Sequence, residues 1–177
     1  MFVKRFFKPI ALAAFVCAVL LSVPAIPASA HASDWTTYGD WHVRGSAATK
    51  TAEAWAYGSN GYTRLHISCD ASTGRGFFHS VDQYSGELLK RENFATVIIK
   101  YVLHRQDGST KDYSSGLQYI ADEAAWIGNK KLSGVFINEF GNYLQLTVLN
   151  AQGYIVEEFS LKGSLKSRNT MRTYCGF

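Results

Sequence analysis

The stretch that decides the fold is "ATVIIKYVLHRQDGSTKDY", residues 95–113. A run of β-branched and aromatic residues reaches Asp107-Gly108 and then turns back into a second extended run. Asp-Gly supplies the positive φ angles of a tight hairpin turn, so this segment predicts two antiparallel strands with the dipeptide at the tip. "YLQLTVLNAQGYIVEEFSLKG", residues 143–163, repeats the design around Gln152-Gly153. Simple alternation there would set Leu144, Leu146 and Val148 on one face, and Ile155, Glu157 and Phe159 on one face of the returning strand. "TRLHISCD", residues 63–70, alternates with Leu65, Ile67 and Cys69 on one side and Arg64, His66 and Ser68 on the other.

Turn signals recur throughout: "GSNG" at 58–61, "TGRG" at 73–76, and Gly-containing pairs near 85, 128, 141 and 162. Many short strands between glycine turns predict a mainly β domain, a single-domain β-sandwich with one or two short helices. Leu132, Val135, Phe136 and Phe140 recur at helical intervals and mark one such helix. The residues after Gly163 form a short polar stretch that ends near a cysteine.

The first 30 residues have a separate logic. Lys4, Arg5 and Lys8 precede an apolar run from Ile10 to Val23, followed by Pro24, Pro27 and Ala28-Ser29-Ala30. This is the pattern of a cleaved secretory signal, leaving His31 as the mature N-terminus and 31–177 as the β-domain. The run covers about 14 residues, short of the roughly 20 needed for a spanning helix. No stable membrane span is expected after cleavage, and the expected location is periplasmic or secreted.

The net charge of +4 is misleading, because three of the basic residues belong to the signal. The mature domain is close to neutral, which gives no electrostatic footprint for nucleic acid. It keeps two cysteines, Cys69 and Cys175. An exported pair without C-x-x-C spacing is expected to form a structural disulfide. Chain-entropy arguments put its contribution at about 4–5 kcal/mol for a loop of this size.

Candidate chemistry is sparse. An N-terminal histidine can chelate copper through its amine and ring, so His31 is one metal candidate, with His42, His66, His79 or His104 available as a second ligand. The alternative is a histidine left by signal cleavage, and no cofactor is expected. "DYSSGLQ" around Ser114 and Ser115 lacks the leading glycine of a nucleophile elbow and reads as part of a strand or turn. Glu157 and Glu158 are neighbours on a strand, point to opposite faces and cannot act as a carboxylate dyad. Arg105 and Asp107 flank the hairpin tip and form a candidate binding loop. The aromatics could in part form an exposed binding cluster, although most are expected in the core.

The order of "YGDWHVR", "RLHISCD", "VIIKYVLHRQDGS", "AAWIG", "LSGVFINEFGNYLQLTVL", "VEEFSLKGS" and "MRTYCGF" resembles exported accessory proteins associated with type VI secretion, of the VasI/TagO type. More loosely, the chain is similar to the invasion-associated locus B family. In place of the first family's acidic stretch between its opening strands, this chain has "GSAATKTAEA". The resemblance implies a β-sandwich with Cys69 bridged to Cys175. It also implies a non-enzymatic accessory role at the envelope, through a protein partner or an envelope component. A secreted inhibitor of an enzyme such as lysozyme, or a copper-binding protein using His31, is the alternative reading.

Overall fold

The computed structural model describes residues 34–74 and 76–177. The signal segment 1–30 and His31 lie outside the described residues. Ten strands form one antiparallel sheet: β1 (Thr36–Tyr38), β2 (Trp41–Ser46), β3 (Thr51–Tyr57), β4 (Arg64–Asp70), β5 (Phe78–Asp82), β6 (Thr96–His104), β7 (Thr110–Ile120), β8 (Ala125–Gly128), β9 (Gln145–Asn150) and β10 (Ile155–Ser160). Their order across the sheet is β1-β2-β3-β4-β5-β8-β7-β6-β9-β10. Two helices, α1 (Gly134–Phe140) and α2 (Ser164–Cys175), complete the fold.

The expected mainly β domain is therefore present, and the sandwich takes the form of one continuous sheet that folds over on itself. Its two ends meet at a seam, where Gly58 bridges to Phe159 in antiparallel fashion. Across the seam Ser59 N donates to Glu158 O at 2.8 Å, and Asp40 N donates to Lys162 O at 3.0 Å. Trp41 Nε1 donates to Ser160 O at 3.0 Å, while its ring meets Phe140 edge-on at 5.1 Å. Burying a side chain of that size contributes about 4 kcal/mol.

The β6–β7 hairpin has Asp107-Gly108 at its tip as expected, with His104 opposite Thr110, but of the two only Gly108 takes a positive φ (80°), and the loop closes where Arg105 N donates to Ser109 O at 2.9 Å. On β4, Leu65, Ile67 and Cys69 are buried, as the alternation requires. β10 departs from simple alternation. A bulge between Ile155 and Glu157 gives the strand an extra residue, so that Val156 and Glu157 are both buried. α1 starts where Ser133 Oγ accepts from Phe136 N at 3.0 Å, and it buries Phe136, Ile137 and Phe140. Val135, placed inward by the sequence pattern, is exposed.

The polar stretch after Gly163 is the longer of the two helices. Ser164, Ser167, Met171 and Cys175 form its buried stripe. It packs on β2, β3 and β4, where the inward residues are small. Ala52, Ala54 and Ala56 face it from β3, and a Cβ on Gly45 would fall 2.5 Å from the Tyr174 ring. Small residues on both surfaces let helix and sheet approach closely. The Cys69–Cys175 disulfide, with a Cα–Cα distance of 6.4 Å, fixes the end of α2 to β4.

Candidate functional site: the aromatic outer face and the seam groove

The sequence "TAEAWAY" of β3 explains the most distinctive surface of the protein. α2 claims the inner side, so the alanines face inward and Glu53, Trp55 and Tyr57 face outward. Register places His42 and His66 on either side of Trp55, Arg44 and Ser68 beside Glu53, and Arg64 beside Tyr57. The His42 ring stacks on Trp55 at 4.2 Å, Tyr57 meets Trp55 edge-on at 4.8 Å, and Trp35 does so at 5.8 Å. The Arg44 guanidinium lies 4.5 Å over the Trp35 ring, and that of Arg64 lies 5.7 Å over Trp55. Trp35 and Tyr57 remain 39% and 47% exposed, so their rings are available to a ligand.

Glu53 anchors this face. It accepts from Arg44 Nε at 2.5 Å and lies 2.9 Å from His66 Nε2. The His66 hydrogen bond, aided by Arg44 and opposed by partial burial, holds its carboxyl down at about 2. Arg44 and His66 are thus held by Glu53 before any ligand arrives.

At one end this face descends into an open groove of about 690 Å³ along the seam. His42 and Tyr57 form one wall, and Gln145, Glu158 and Ser160 form the other, with Asp40 at the rim. Asp40 Oδ2 accepts from Ser160 Oγ at 2.6 Å, and Glu158 Oε1 accepts from Gln145 Nε2 at 2.9 Å and from Thr147 Oγ1 at 3.3 Å. Beneath the groove Glu157 is buried, where its Oε1 accepts from Ser59 Oγ at 2.6 Å. Gly58 must lack a side chain here, because a Cβ would fall 2.5 Å from the Glu157 carboxyl group.

The residues singled out in the sequence lie in several places. Arg105 packs over the Tyr143 ring at 4.6 Å, and Asp107 accepts from Ser109 N and Oγ at 2.9 and 2.6 Å, holding the hairpin turn. Neither lines the groove. His66 pairs with Glu53, and His104 lies 2.9 Å from Thr147 Oγ1. Ser115, on β7, lies 3.1 Å from Nε2 of His79. His79 is 3% exposed, and burial pushes its imidazole down to about 4, so it is neutral at ordinary pH. Its Nδ1 is buried and unpartnered among the described residues, and its ring rests against Gly128. Among the described residues no helix is long and apolar enough to cross a membrane.

The aromatic face was not assembled by the sequence reading, because its members come from four separate segments. The signal that could have found it is the inverted alternation of β3, with small residues where the core would want large ones. No family model, curated protein or solved structure matches the chain.

Proposed function

We propose that this is an exported accessory protein of the cell envelope that works by binding, with the outer face of β1–β4 and the adjoining seam groove as its contact surface. The observation that carries this reading is the cluster of Trp35, His42, Trp55 and Tyr57 with Arg44 and Arg64, packed ring on ring and cation on ring, with Arg44 tied to Glu53, yet partly open to solvent. Pre-ordered aromatic and arginine side chains lose little entropy on binding and are the residue types that dominate contact energies. Export is supported by the signal-like segment 1–30 and by a structural disulfide, a bond that persists in oxidising compartments. The resemblance to type VI secretion accessory proteins supports a role beside an envelope assembly.

The test has two parts. N-terminal sequencing of the exported protein should begin at His31. After cell fractionation, the wild type should stay with the envelope, and Trp35→Ala/Tyr57→Ala should move to the soluble exported fraction. Identical fractionation of the two proteins would refute the assignment of the contact surface.

A further inference from the structure

Resting on that reading, we infer that the seam groove is a subsite for a linear, uncharged oligosaccharide, held by Tyr57 on one wall, by Glu158 on the other and by Asp40 at the rim. Three features of the groove point to this chemistry.

The first is the supply of hydrogen-bonding atoms. Each carboxylate is half engaged. Asp40 uses Oδ2 for Ser160, and Glu158 uses Oε1 for Gln145 and Thr147. Among the described residues Asp40 Oδ1 and Glu158 Oε2 have no partner. The His42 ring is held through Nδ1, 3.1 Å from Thr37 Oγ1, leaving Nε2 toward a ligand. Acceptors fixed by a bond to their other oxygen suit hydroxyl donors arrayed along a sugar chain.

The second feature is the ring. Tyr57 is braced edge-on against Trp55 and is about half exposed, a flat apolar wall beside the acceptors. A pyranose presents the same combination, with an apolar face of C–H groups and a polar rim. The groove's volume of about 690 Å³ falls within the usual range for small-ligand sites.

The third feature is what the groove withholds. Among the described residues no lysine or arginine lines it, so an anionic ligand gains nothing from them there. Its backbone is already paired across the seam, through Ser59 N to Glu158 O and Asp40 N to Lys162 O. Those backbone groups are therefore closed to an extended peptide joining as an added strand. Recognition falls on side chains, which is how an oligosaccharide is read.

The experiment uses the mature protein, residues 31–177, with its disulfide intact. Isothermal calorimetry is run with the N-acetylglucosamine tetramer, with cellotetraose and with a tetra-arginine peptide. At least one tetrasaccharide should bind with a Kd of about 1 mM or tighter. Tyr57→Ala and, separately, Glu158→Gln should weaken it about tenfold or more, with thermal melting curves showing that both variants fold. Because the ligand is uncharged, affinity should change less than about twofold on raising salt from roughly 0.05 to 0.5 M. Silence from both tetrasaccharides, or binding that ignores both substitutions, overturns the proposal. Salt-sensitive binding of tetra-arginine alone also overturns it, assigning the groove to a basic protein segment while leaving the envelope-binding role intact. Loss of envelope retention by the wild type would instead remove the underlying reading.

Discussion

Lowering the pH from about 7 to about 5 should destabilise this protein through His79. The folded state holds His79 neutral, with its pKa pushed by burial from 6.5 down to about 4. The unfolded chain protonates it near the ordinary value, so below about pH 6.5 unfolding takes up a proton that the native state refuses. A histidine with a lowered folded pKa contributes no penalty above 6.5 and a growing one as pH falls toward 4. At 1.36 kcal/mol per pKa unit the full loss is about 3 kcal/mol, of which about 2 kcal/mol accrues between roughly pH 7 and pH 5. Urea unfolding followed by tryptophan fluorescence should show the midpoint falling by about 1 M over that interval. His79→Gln keeps a polar group near Ser115 and cannot titrate, so comparing its slope with the wild type's separates His79 from the other histidines. A wild-type midpoint unchanged between these pH values would refute the argument. So would a His79→Gln variant that loses the same stability as the wild type.

Further perturbations should have separable effects. Reducing the Cys69–Cys175 disulfide, or Cys69→Ala/Cys175→Ala, should lower stability by up to about 4–5 kcal/mol, read as a lower urea midpoint; intact mass with and without reductant reports the bond itself. Gly163→Ala should destabilise by more than about 2 kcal/mol in thermal melts, because φ is +95° and an added Cβ would meet Tyr38 O at 1.8 Å. Glu53, lowered from 4.5 to about 2, should contribute stability that is complete above 4.5 and is lost as pH falls toward 2. After discounting for solvent screening at this half-exposed site the amount is about 1 kcal/mol, and Glu53→Gln should flatten acid unfolding curves in that window.

What the sequence made legible was whatever a single strand or turn can carry. The Asp107-Gly108 hairpin, the inward set Leu65, Ile67 and Cys69, and the pairing of the two cysteines all rest on local pattern or count. α2 was hidden because its buried stripe is mostly serine and cysteine, residues that hydropathy patterns do not count as core. The bulge beside Glu157 was hidden because inserting one residue resets the alternation without leaving a composition signal. The outer face needed two facts together: that α2 covers β3, and that β1 to β4 are neighbours. Each is a tertiary property, so no single segment of the sequence marks Trp35 and Tyr57 as members of one exposed face. His79 is a similar case, since its burial depends on the space left by Gly128 on another strand.

The seam has a kinetic meaning as well. Trp41 and Ser160, which join across it, are 119 residues apart in the chain. Contacts so distant in sequence form late, after the loop between them has been closed at an entropic cost, and folds rich in them are slow. Only a few hydrogen bonds and one bridge hold the seam, against full ladders elsewhere in the sheet. It is therefore where the native state opens most readily. Hydrogen exchange should report faster opening at Ser59 and Asp40 than along β6 and β7. A ligand in the groove touches both sides of that joint, so binding would slow exchange there and reinforce a contact that joins residues 119 apart in the chain.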